Sequence, residues 1–246
     1  SRIHGKTLHP RHHPRKPEQH RPAAAHRQGL SPVVGGNRRG QDHFGKRAKR
    51  ENYPARSIYK LQEIDQRVRL LRPGMTVLDL GAAPGSWSLY AAERVTRSGK
   101  VVAVDRTPID IAMPGNVQVI TGNALEINPA DLLARIDRPG FDAVISDMAP
   151  RTSGHRFVDQ ARSFELFIRA LEFAASVCAT GGSFVGKIFI GEDFETARRR
   201  VRELFAEERI IRPRSIRTES YETYLVGLRR LPAPPSAPGT ENTPTA

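Results

Sequence analysis

Short runs of apolar, often β-branched residues alternate with helical patterns through the middle of the chain. Strands are predicted at residues 76–80, 101–104, 117–121, 143–146, 183–189 and 224–228. Helices are predicted between them at residues 57–68, 86–95, 158–179 and 192–207. Continuous apolar runs are typical of parallel strands that helices cover on both faces. The alternation therefore predicts an α/β fold with a mostly parallel, doubly wound sheet.

The two ends of the chain differ from this central body. Residues 1–42 hold six of the eight histidines and nine Lys or Arg against two acids, without apolar periodicity. Residues 231–246 contain five prolines. We predict a disordered basic tail, a domain at 43–230 and a second disordered tail. The histidines could bind metal, but a solvated tail is the better interpretation because nothing fixes their geometry.

The charge of the chain points to a polyanionic partner. There are 39 Lys+Arg against 26 Asp+Glu, a net charge of +13, and nucleic acid is the first candidate. A membrane surface is disfavoured because no run approaches 18 apolar residues, and no signal peptide is visible, so we expect a cytoplasmic protein. Cys178 is the single cysteine, which excludes disulfides within the chain, and we predict a helical core position for it.

A glycine loop, Asp79-Leu-Gly-Ala-Ala-Pro-Gly-Ser-Trp87, joins the first predicted strand to its helix. Gly81 and Gly85 allow a tight turn and a close approach of the backbone to a ligand. The spacing matches neither the dinucleotide fingerprint nor a P-loop. The helix N-terminus favours a carboxylate, such as the one that a methionine-type cofactor carries.

Polar residues follow the next two strands. Asp105 comes about 20 residues after the glycine loop, where an acid can accept hydrogen bonds from both ribose hydroxyls. A turn-forming aspartate is the alternative, and the spacing favours the ribose. Asn123 could bind an adenine edge or cap a helix, and spacing alone does not rank the two.

Two further residues indicate chemistry by their positions. Asp147 follows a predicted strand at its carboxyl end, where ligands bind in this class of fold. Lys187 lies within the apolar run Phe184-Val-Gly-Lys-Ile-Phe189, where an unpaired charge would be costly. Taken alone, Lys60 could be a solvated helix residue and Glu222 a solvated acid near Glu219.

Five ordered segments together resemble the FtsJ/RrmJ family of ribosomal RNA large-subunit methyltransferases, over roughly residues 41–230. They are Tyr53-Pro-Ala-Arg-Ser-Ile-Tyr-Lys-Leu61, Val77-Leu-Asp-Leu-Gly-Ala-Ala-Pro-Gly-Ser-Trp-Ser88, Ser146-Asp-Met-Ala-Pro150, Gly181-Gly-Ser-Phe-Val-Gly-Lys-Ile-Phe189 and Ser220-Tyr-Glu-Thr-Tyr-Leu-Val226. The resemblance implies a Rossmann-like methyltransferase fold with one antiparallel strand near the C-terminus. It also implies methyl transfer from S-adenosylmethionine to a ribose 2′-hydroxyl, on a uridine of large-subunit ribosomal RNA.

The resemblance assigns two sets of site residues. The family's catalytic tetrad falls on Lys60, Asp147, Lys187 and Glu222. With Gly81 from the glycine loop, the cofactor positions are Gly81, Gly85, Trp87, Asp105, Asn123 and Asp147. The chain departs from the family pattern at Asn123, where the family has Asp, and at Arg151, where it has Asn. No metal is expected, because the sulfonium of the donor supplies the driving charge.

The chemistry suggests a role for each member of the tetrad. A ribose hydroxyl needs a proton acceptor during transfer, and Lys187 is our choice. Lys60 could lower the proton affinity of Lys187, hold a substrate phosphate or stabilise the developing alkoxide. We expect Asp147 to orient Lys187 and face the donor. We expect Glu222 to orient a lysine and accept hydrogen bonds from the ribose.

Basic residues near the N-terminus are the predicted RNA contacts. This first cluster consists of Lys46, Arg47, Lys49, Arg50 and Arg56, and Tyr53 or Tyr59 could stack on a base or pack against the sheet. For a second cluster, Arg198, Arg199, Arg200 and Arg202, a solvated helix face is preferred. The expected partner is ribosomal RNA in the large subunit, bound by a monomer. Alternatives are transfer RNA or capped RNA as substrate, or a silent RNA-binding assembly factor, which an intact tetrad disfavours.

Overall fold

The computed structural model describes residues 38–233, with side chains from residue 43 onward. The helices are α1 (Arg38–Arg50), α2 (Ile58–Val68), α3 (Ser86–Val95), α4 (Pro129–Leu133), α5 (Arg156–Val177) and α6 (Phe194–Leu204). The strands are β1 (Thr76–Leu80), β2 (Lys100–Asp105), β3 (Val117–Thr121), β4 (Phe141–Ser146), β5 (Cys178–Phe189), β6 (Phe205–Ile211) and β7 (Glu222–Arg230). Both predicted tails lie mostly outside the described residues, but α1 begins before the predicted domain boundary at 43.

The seven strands form one sheet in the order β3-β2-β1-β4-β5-β7-β6. The predicted α/β fold is confirmed: β1 to β5 run parallel, with β1 pairing β2 on one side and β4 on the other. Every residue of β1 is buried, including Thr76 and Asp79, as expected for a central parallel strand that helices cover on both faces. Connections leave β1 and β4 in opposite directions along the sheet, so a crevice opens at their carboxyl ends.

The C-terminal half of the sheet corrects several sequence-based boundaries. Helix α5 ends at Val177, and Cys178 begins β5 rather than continuing a helix. Burial raises the pKa of the Cys178 thiol to about 12, as expected for a packed cysteine. The predicted helix to residue 207 stops at Leu204, and the missed strand β6 follows. Strand β7 is antiparallel to both β5 and β6, so it alone runs against the others.

Helices cover both faces of the sheet. One core contains side chains from α2 and α3, such as Leu61 and Ala91, with residues of β1 and β7. The other core contains side chains from α4, α5 and α6, including Phe167 and Val201, against the opposite face. No helix within residues 38–233 has the length and apolar character that a membrane crossing requires. This two-sided covering leaves the carboxyl edge of the parallel strands as the place where polar side chains collect.

Candidate active site

A cavity of about 420 Å³ opens at the carboxyl ends of β1 to β4. Four of the predicted cofactor residues line it: Gly81, Asp105, Asn123 and Asp147. The remaining wall includes Ala83, Arg106, Ala124, Leu125, Met148, Ala149, Leu166 and Arg169. The cavity therefore has carboxylates at separate strand ends and apolar side chains between them, a pattern suited to a nucleoside with a charged end.

The glycine loop forms one wall because its backbone turns where side chains would obstruct it. Gly81 has φ +78°, and a Cβ there would clash with the side chain of Met148. Gly85 has φ +106° and immediately precedes α3. Both positions are in the left-handed region that only glycine adopts readily. The prediction that the backbone must turn sharply at these two glycines is confirmed.

Asp105 is held at the end of β2 by backbone amides. Its Oδ2 accepts a hydrogen bond from Ala83 N at 2.9 Å, and its Oδ1 accepts one from Thr107 N at 2.7 Å. Each carboxylate oxygen retains acceptor capacity, since a carboxylate offers about four lone-pair sites. This carboxylate is fixed in orientation and lines the cavity, as binding a ribose diol requires.

Asn123 occupies the loop after β3 and has the geometry of a turn-forming residue. Its side chain accepts a hydrogen bond from Leu125 N at 3.3 Å and donates one to Glu126 Oε1 at 2.5 Å. It also lines the cavity. Both alternatives raised by the sequence are therefore compatible with its position, because a side chain in a local turn can still border a ligand.

The four residues of the predicted tetrad form two ion pairs. Lys187 Nζ lies 3.0 Å from Asp147 Oδ1 and also donates to the Asp147 carbonyl, while Lys60 Nζ lies 2.5 Å from Glu222 Oε1. Their side chains are 8% exposed for Lys187, 19% for Asp147, 13% for Lys60 and 14% for Glu222. Lys60 and Glu222 are thus paired and largely enclosed, not solvated surface residues.

Tyr224, which the sequence reasoning did not single out, joins the two pairs. Its hydroxyl lies 2.5 Å from Asp147 Oδ1 and 3.0 Å from Glu222 Oε1. Burial, followed by the charges of Asp147 and Glu222, raises its pKa well above 10, so the hydroxyl remains protonated. The available signal was its spacing: Tyr224 is two residues after Glu222 and shares its face of the strand.

Trp87 and Gly85, both predicted to contact the cofactor, do not line this cavity among the described residues. Trp87 is buried, and its Nε1 donates to Ser57 O at 2.9 Å. Its ring centroid lies 5.8 Å from that of Tyr224. The indole thus packs against Tyr224 and, through Ser57, holds the start of α2 against α3. In this position it supports the ion pairs and is not part of the cavity wall.

Asp79 lies beneath the glycine loop and is 1% exposed. Its Oδ2 accepts a hydrogen bond from Ser88 Oγ at 2.6 Å, whereas its Oδ1 is buried without a partner in the described structure. Burial raises the pKa of this carboxyl to about 7, and the charges of Asp147 and Asp105 add to the rise. The floor of the site therefore holds a carboxyl that titrates near neutral pH.

The two predicted basic clusters differ in their surroundings. In the second cluster, Arg198 pairs with Glu208 at 2.6 Å and Arg202 with Glu208 at 3.1 Å, and Arg200 pairs with Glu203, which favours the preferred solvated face. Near the N-terminus, Arg47 pairs with Glu51 and stacks on the ring of Tyr59.

Tyr53 and Tyr59 pack against the protein core and extend little into solvent. Tyr59 is 5% exposed, and Tyr53 packs against the same core while donating to Glu93 Oε2 at 3.1 Å. Packing is therefore the better of the two predicted roles. Arg151, in the loop after β4, is exposed.

Metal-ligating side chains are dispersed in the described part of the chain. No group of three or more His, Cys, Asp or Glu side chains there could hold a metal ion. That the site works without a metal stays a prediction. The charged side chains that line the cavity are two aspartates and two arginines: Asp105, Asp147, Arg106 and Arg169.

Comparison with known proteins reveals close relatives. Residues 53–230 match the model of the FtsJ-like methyltransferase family. The chain is 54% identical over 189 residues to the ribosomal RNA large subunit methyltransferase E of Sorangium cellulosum, covering 77% of this chain and 88% of that protein. It is 50% identical over 188 residues to the protein of the same name from Oleidesulfovibrio alaskensis, covering 76% and 91%.

The fold also matches a solved structure. A crystal structure from Plasmodium falciparum, described as a ribosomal RNA methyltransferase, superposes with a TM-score of 0.65 and 26% identity. The match covers 73% of this chain and 99% of that one. The family-model match at residues 53–230 includes the residues that line the cavity, both ion pairs and Tyr224.

Proposed function

Because the chain belongs to the FtsJ-like methyltransferase family, we propose that it transfers a methyl group from S-adenosylmethionine to the ribose 2′-hydroxyl of a uridine in large-subunit ribosomal RNA. The observation that carries the proposal is the pair of Lys–carboxylate contacts, joined by Tyr224, at the edge of the cavity. The relatives' names support ribosomal RNA as the substrate. Such a substrate favours the cytoplasm as the place of action.

The residues of the cavity fit the proposed cofactor. Asp105, held by two backbone amides, would accept hydrogen bonds from the ribose hydroxyls, and Asn123 borders the position for an adenine. Gly81 lets Met148 pack against the glycine loop, and both residues line the cavity. Asp147 would face the cationic sulfur. When bound, S-adenosylmethionine supplies an electrophilic methyl group on a sulfonium.

Lys187 is the proposed proton acceptor for the 2′-hydroxyl. Its side chain is 8% exposed, and its nitrogen is held by the side chain and the carbonyl of Asp147, which orient it. In the transfer the hydroxyl oxygen would bond to the methyl carbon as the carbon–sulfur bond breaks. The hydroxyl proton would pass to Lys187, whose ammonium must first release a proton to solvent, because only the amine has a free lone pair. A positioned base contributes on the order of 10²- to 10⁴-fold to such a reaction.

Lys60 and Glu222 would hold the acceptor ribose. Lys60 supplies positive charge where alkoxide character develops, and Glu222 can accept a hydrogen bond from the ribose. Their contact at 2.5 Å keeps both charges compensated before the RNA binds. An oxygen nucleophile that needs both deprotonation and orientation fits two lysines and two carboxylates better than a base nitrogen that carries a free lone pair.

The test is transfer of labelled methyl from S-adenosylmethionine to large ribosomal subunits that lack the modification, followed by mapping of the modified nucleotide. We expect one 2′-O-methyluridine with the wild-type chain and a loss of at least about 10²-fold with Lys187→Ala. Arg199→Ala, on the outer face of α6, is the matched control. Label on a base, or full activity of Lys187→Ala, contradicts the proposal.

A further inference from the structure

Four residues form an exposed surface at the carboxyl edge of the sheet, beside the start of α5. Arg156 and Phe157 begin α5, Ile190 follows β5, and Tyr221 precedes β7. Phe157 is 71% exposed, Tyr221 43% and Ile190 41%. We call these four residues the rim patch. Clusters of exposed large apolar side chains are typical of interaction sites.

Specific contacts hold three segments of the rim patch together. The guanidinium carbon of Arg156 lies 4.1 Å from the ring centroid of Tyr221. Ile190 N donates to Tyr221 O at 2.8 Å, and Gln160 Nε2 donates to Ile190 O at 2.5 Å. Because these contacts lie within one chain, the surface is formed before any partner binds. A preformed surface loses little conformational entropy on binding.

The rim patch lies close to the proposed catalytic residues. Tyr221 directly precedes Glu222, and Ile190 is three residues beyond Lys187. In an extended chain, three residues span about 10 Å. An RNA strand whose ribose reaches Lys187 would therefore bring a neighbouring nucleotide within range of the rim patch.

Resting on the proposed function, we propose that the rim patch stacks a nucleobase of single-stranded RNA next to the methylated ribose. Tyrosine rings and arginine guanidinium planes are the groups on which splayed RNA bases stack. In Arg156 and Tyr221 the two groups already lie against each other. A base can extend this stack, and an unpaired strand can present one.

Two carboxylates beside Phe157 counter the attraction that the Arg156 guanidinium would exert on a phosphate. Glu192 and Asp193 line the same groove as Phe157. These two carboxylates repel a phosphate, whereas a neutral base pays no such penalty. The rim patch thus complements the basic N-terminal cluster, which is the predicted contact for the RNA backbone.

Steady-state kinetics with Tyr221→Ala and Tyr221→Phe test the proposal on large ribosomal subunits. Loss of one base stack corresponds to a rise in KM for the RNA substrate of about 5- to 100-fold. We expect that rise for Tyr221→Ala, with kcat within about twofold of wild type, and wild-type behaviour for Tyr221→Phe. Ile210→Ala, a similarly exposed residue on β6, is the matched control.

A direct binding experiment separates a base from a protein partner. The probe is a single-stranded oligouridylate that contains one 2-aminopurine, whose fluorescence falls when it stacks. We expect quenching by wild type and Tyr221→Phe, and loss of quenching with Tyr221→Ala. Equal quenching by Tyr221→Ala overturns the proposal, and if KM on ribosomal subunits has risen as well, the partner is a ribosomal protein.

The same probe distinguishes the two proposals. Should the wild-type chain transfer no methyl to a ribose, the proposed function fails while oligouridylate quenching still tests the stack. If the wild-type chain is active and Tyr221→Ala matches it in KM and in quenching, only the base-stacking proposal is wrong.

Discussion

The two sides of the site are built from different kinds of contact. On the side of β1 to β3, Asp105 is fixed by two backbone amides at 2.9 and 2.7 Å. On the side of β5 and β7, charged side chains fix one another, and the single hydroxyl proton of Tyr224 is shared between two carboxylates within hydrogen-bond distance. We call these the donor side and the acceptor side. Asp147 belongs to both, since it lines the cavity and pairs with Lys187.

The difference teaches how each side should respond to substitution. A carboxylate held by backbone keeps its geometry when neighbouring side chains change, because the peptide groups remain. A network of side chains loses its geometry as a unit, since each member satisfies the others, and the effects of substitutions within it are not additive. The donor side should therefore respond locally and the acceptor side collectively.

Of the substitutions considered next, Tyr224→Phe should lower the rate of methyl transfer most, because it disrupts the network of the acceptor side. The Tyr224 hydroxyl has one proton and lies within hydrogen-bond distance of both carboxylates, so its removal takes away the one donor that Asp147 and Glu222 share, and both lysines lose orientation. We expect kcat to fall about 10- to 100-fold, in keeping with lost bonds to charged groups of about 1.5–3 kcal/mol. Affinity for S-adenosylmethionine by calorimetry should stay unchanged.

Tyr53→Phe is the matched control for this change, because its hydroxyl bonds only Glu93 at an exposed site. A kcat of Tyr224→Phe equal to that of Tyr53→Phe would show that the two ion pairs hold their geometry independently. A large fall in affinity for S-adenosylmethionine would show that the two sides are not separate.

Asp105→Asn should break the donor side alone, with an intermediate effect. An amide offers one acceptor oxygen where the carboxylate offers two, so one backbone contact and part of the ribose contact are lost. We expect the Kd for S-adenosylmethionine to rise about tenfold, roughly 1.4 kcal/mol, with kcat at saturating cofactor unchanged. The exposed Asp110→Asn serves as control, and a lowered kcat would contradict a local response.

Asp79→Asn should have the smallest effect on methyl transfer. It tests whether the buried carboxyl beneath the glycine loop makes the stability of the protein depend on pH. The folded-state pKa of about 7 lies above the ordinary value of 3.8, so the folded protein retains this proton longer. The protonated Asp79 carboxyl contributes fully to the free energy of unfolding below pH 4, and this contribution is lost as the pH rises through 7. The loss is on the order of 2–4 kcal/mol.

Urea unfolding at pH 4.5 and pH 8 measures how far the free energy of unfolding falls between these two pH values. Asp79→Asn should unfold with a weaker decline in free energy between the two pH values than wild type, whatever its absolute stability. Asp110→Asn, at an exposed position, should keep the wild-type slope. Identical slopes for all three proteins would mean that Asp79 titrates normally.

The sequence predicts the parallel half of the fold better than the antiparallel half. Strands β1 and β3 and helix α3 have the predicted bounds, because short runs rich in β-branched and other apolar residues mark the strands and the glycine loop marks the start of the helix. Strand β6 was missed because Phe-Ala-Glu-Glu-Arg-Ile-Ile, at residues 205–211, contains good helix formers and pairs only along one edge. Tertiary pairing with β7 decides its conformation.

The candidate site shows the same limit. Asp147 and Lys187 were predicted from their positions along strands, since a strand end and an apolar run constrain a charge. The pairing of Lys60 with Glu222 joins residues 162 positions apart, which no local pattern reveals. Trp87 was assigned to the cofactor by the family resemblance. Its ring packs in the core beside Tyr224, and its contact with the cofactor stays a prediction.

The reversed direction of β7 has a consequence for how such a site can diversify. Its first residue, Glu222, lies at the edge of the sheet where β4 and β5 end. The loop before β7 therefore ends directly at the acceptor side, while the loops after β1 and β2 serve the donor side. Changes in the length or sequence of residues 212–221 can alter which RNA is accepted and leave the methyl donor untouched. Acceptor choice and donor choice can thus evolve on separate loops of one sheet.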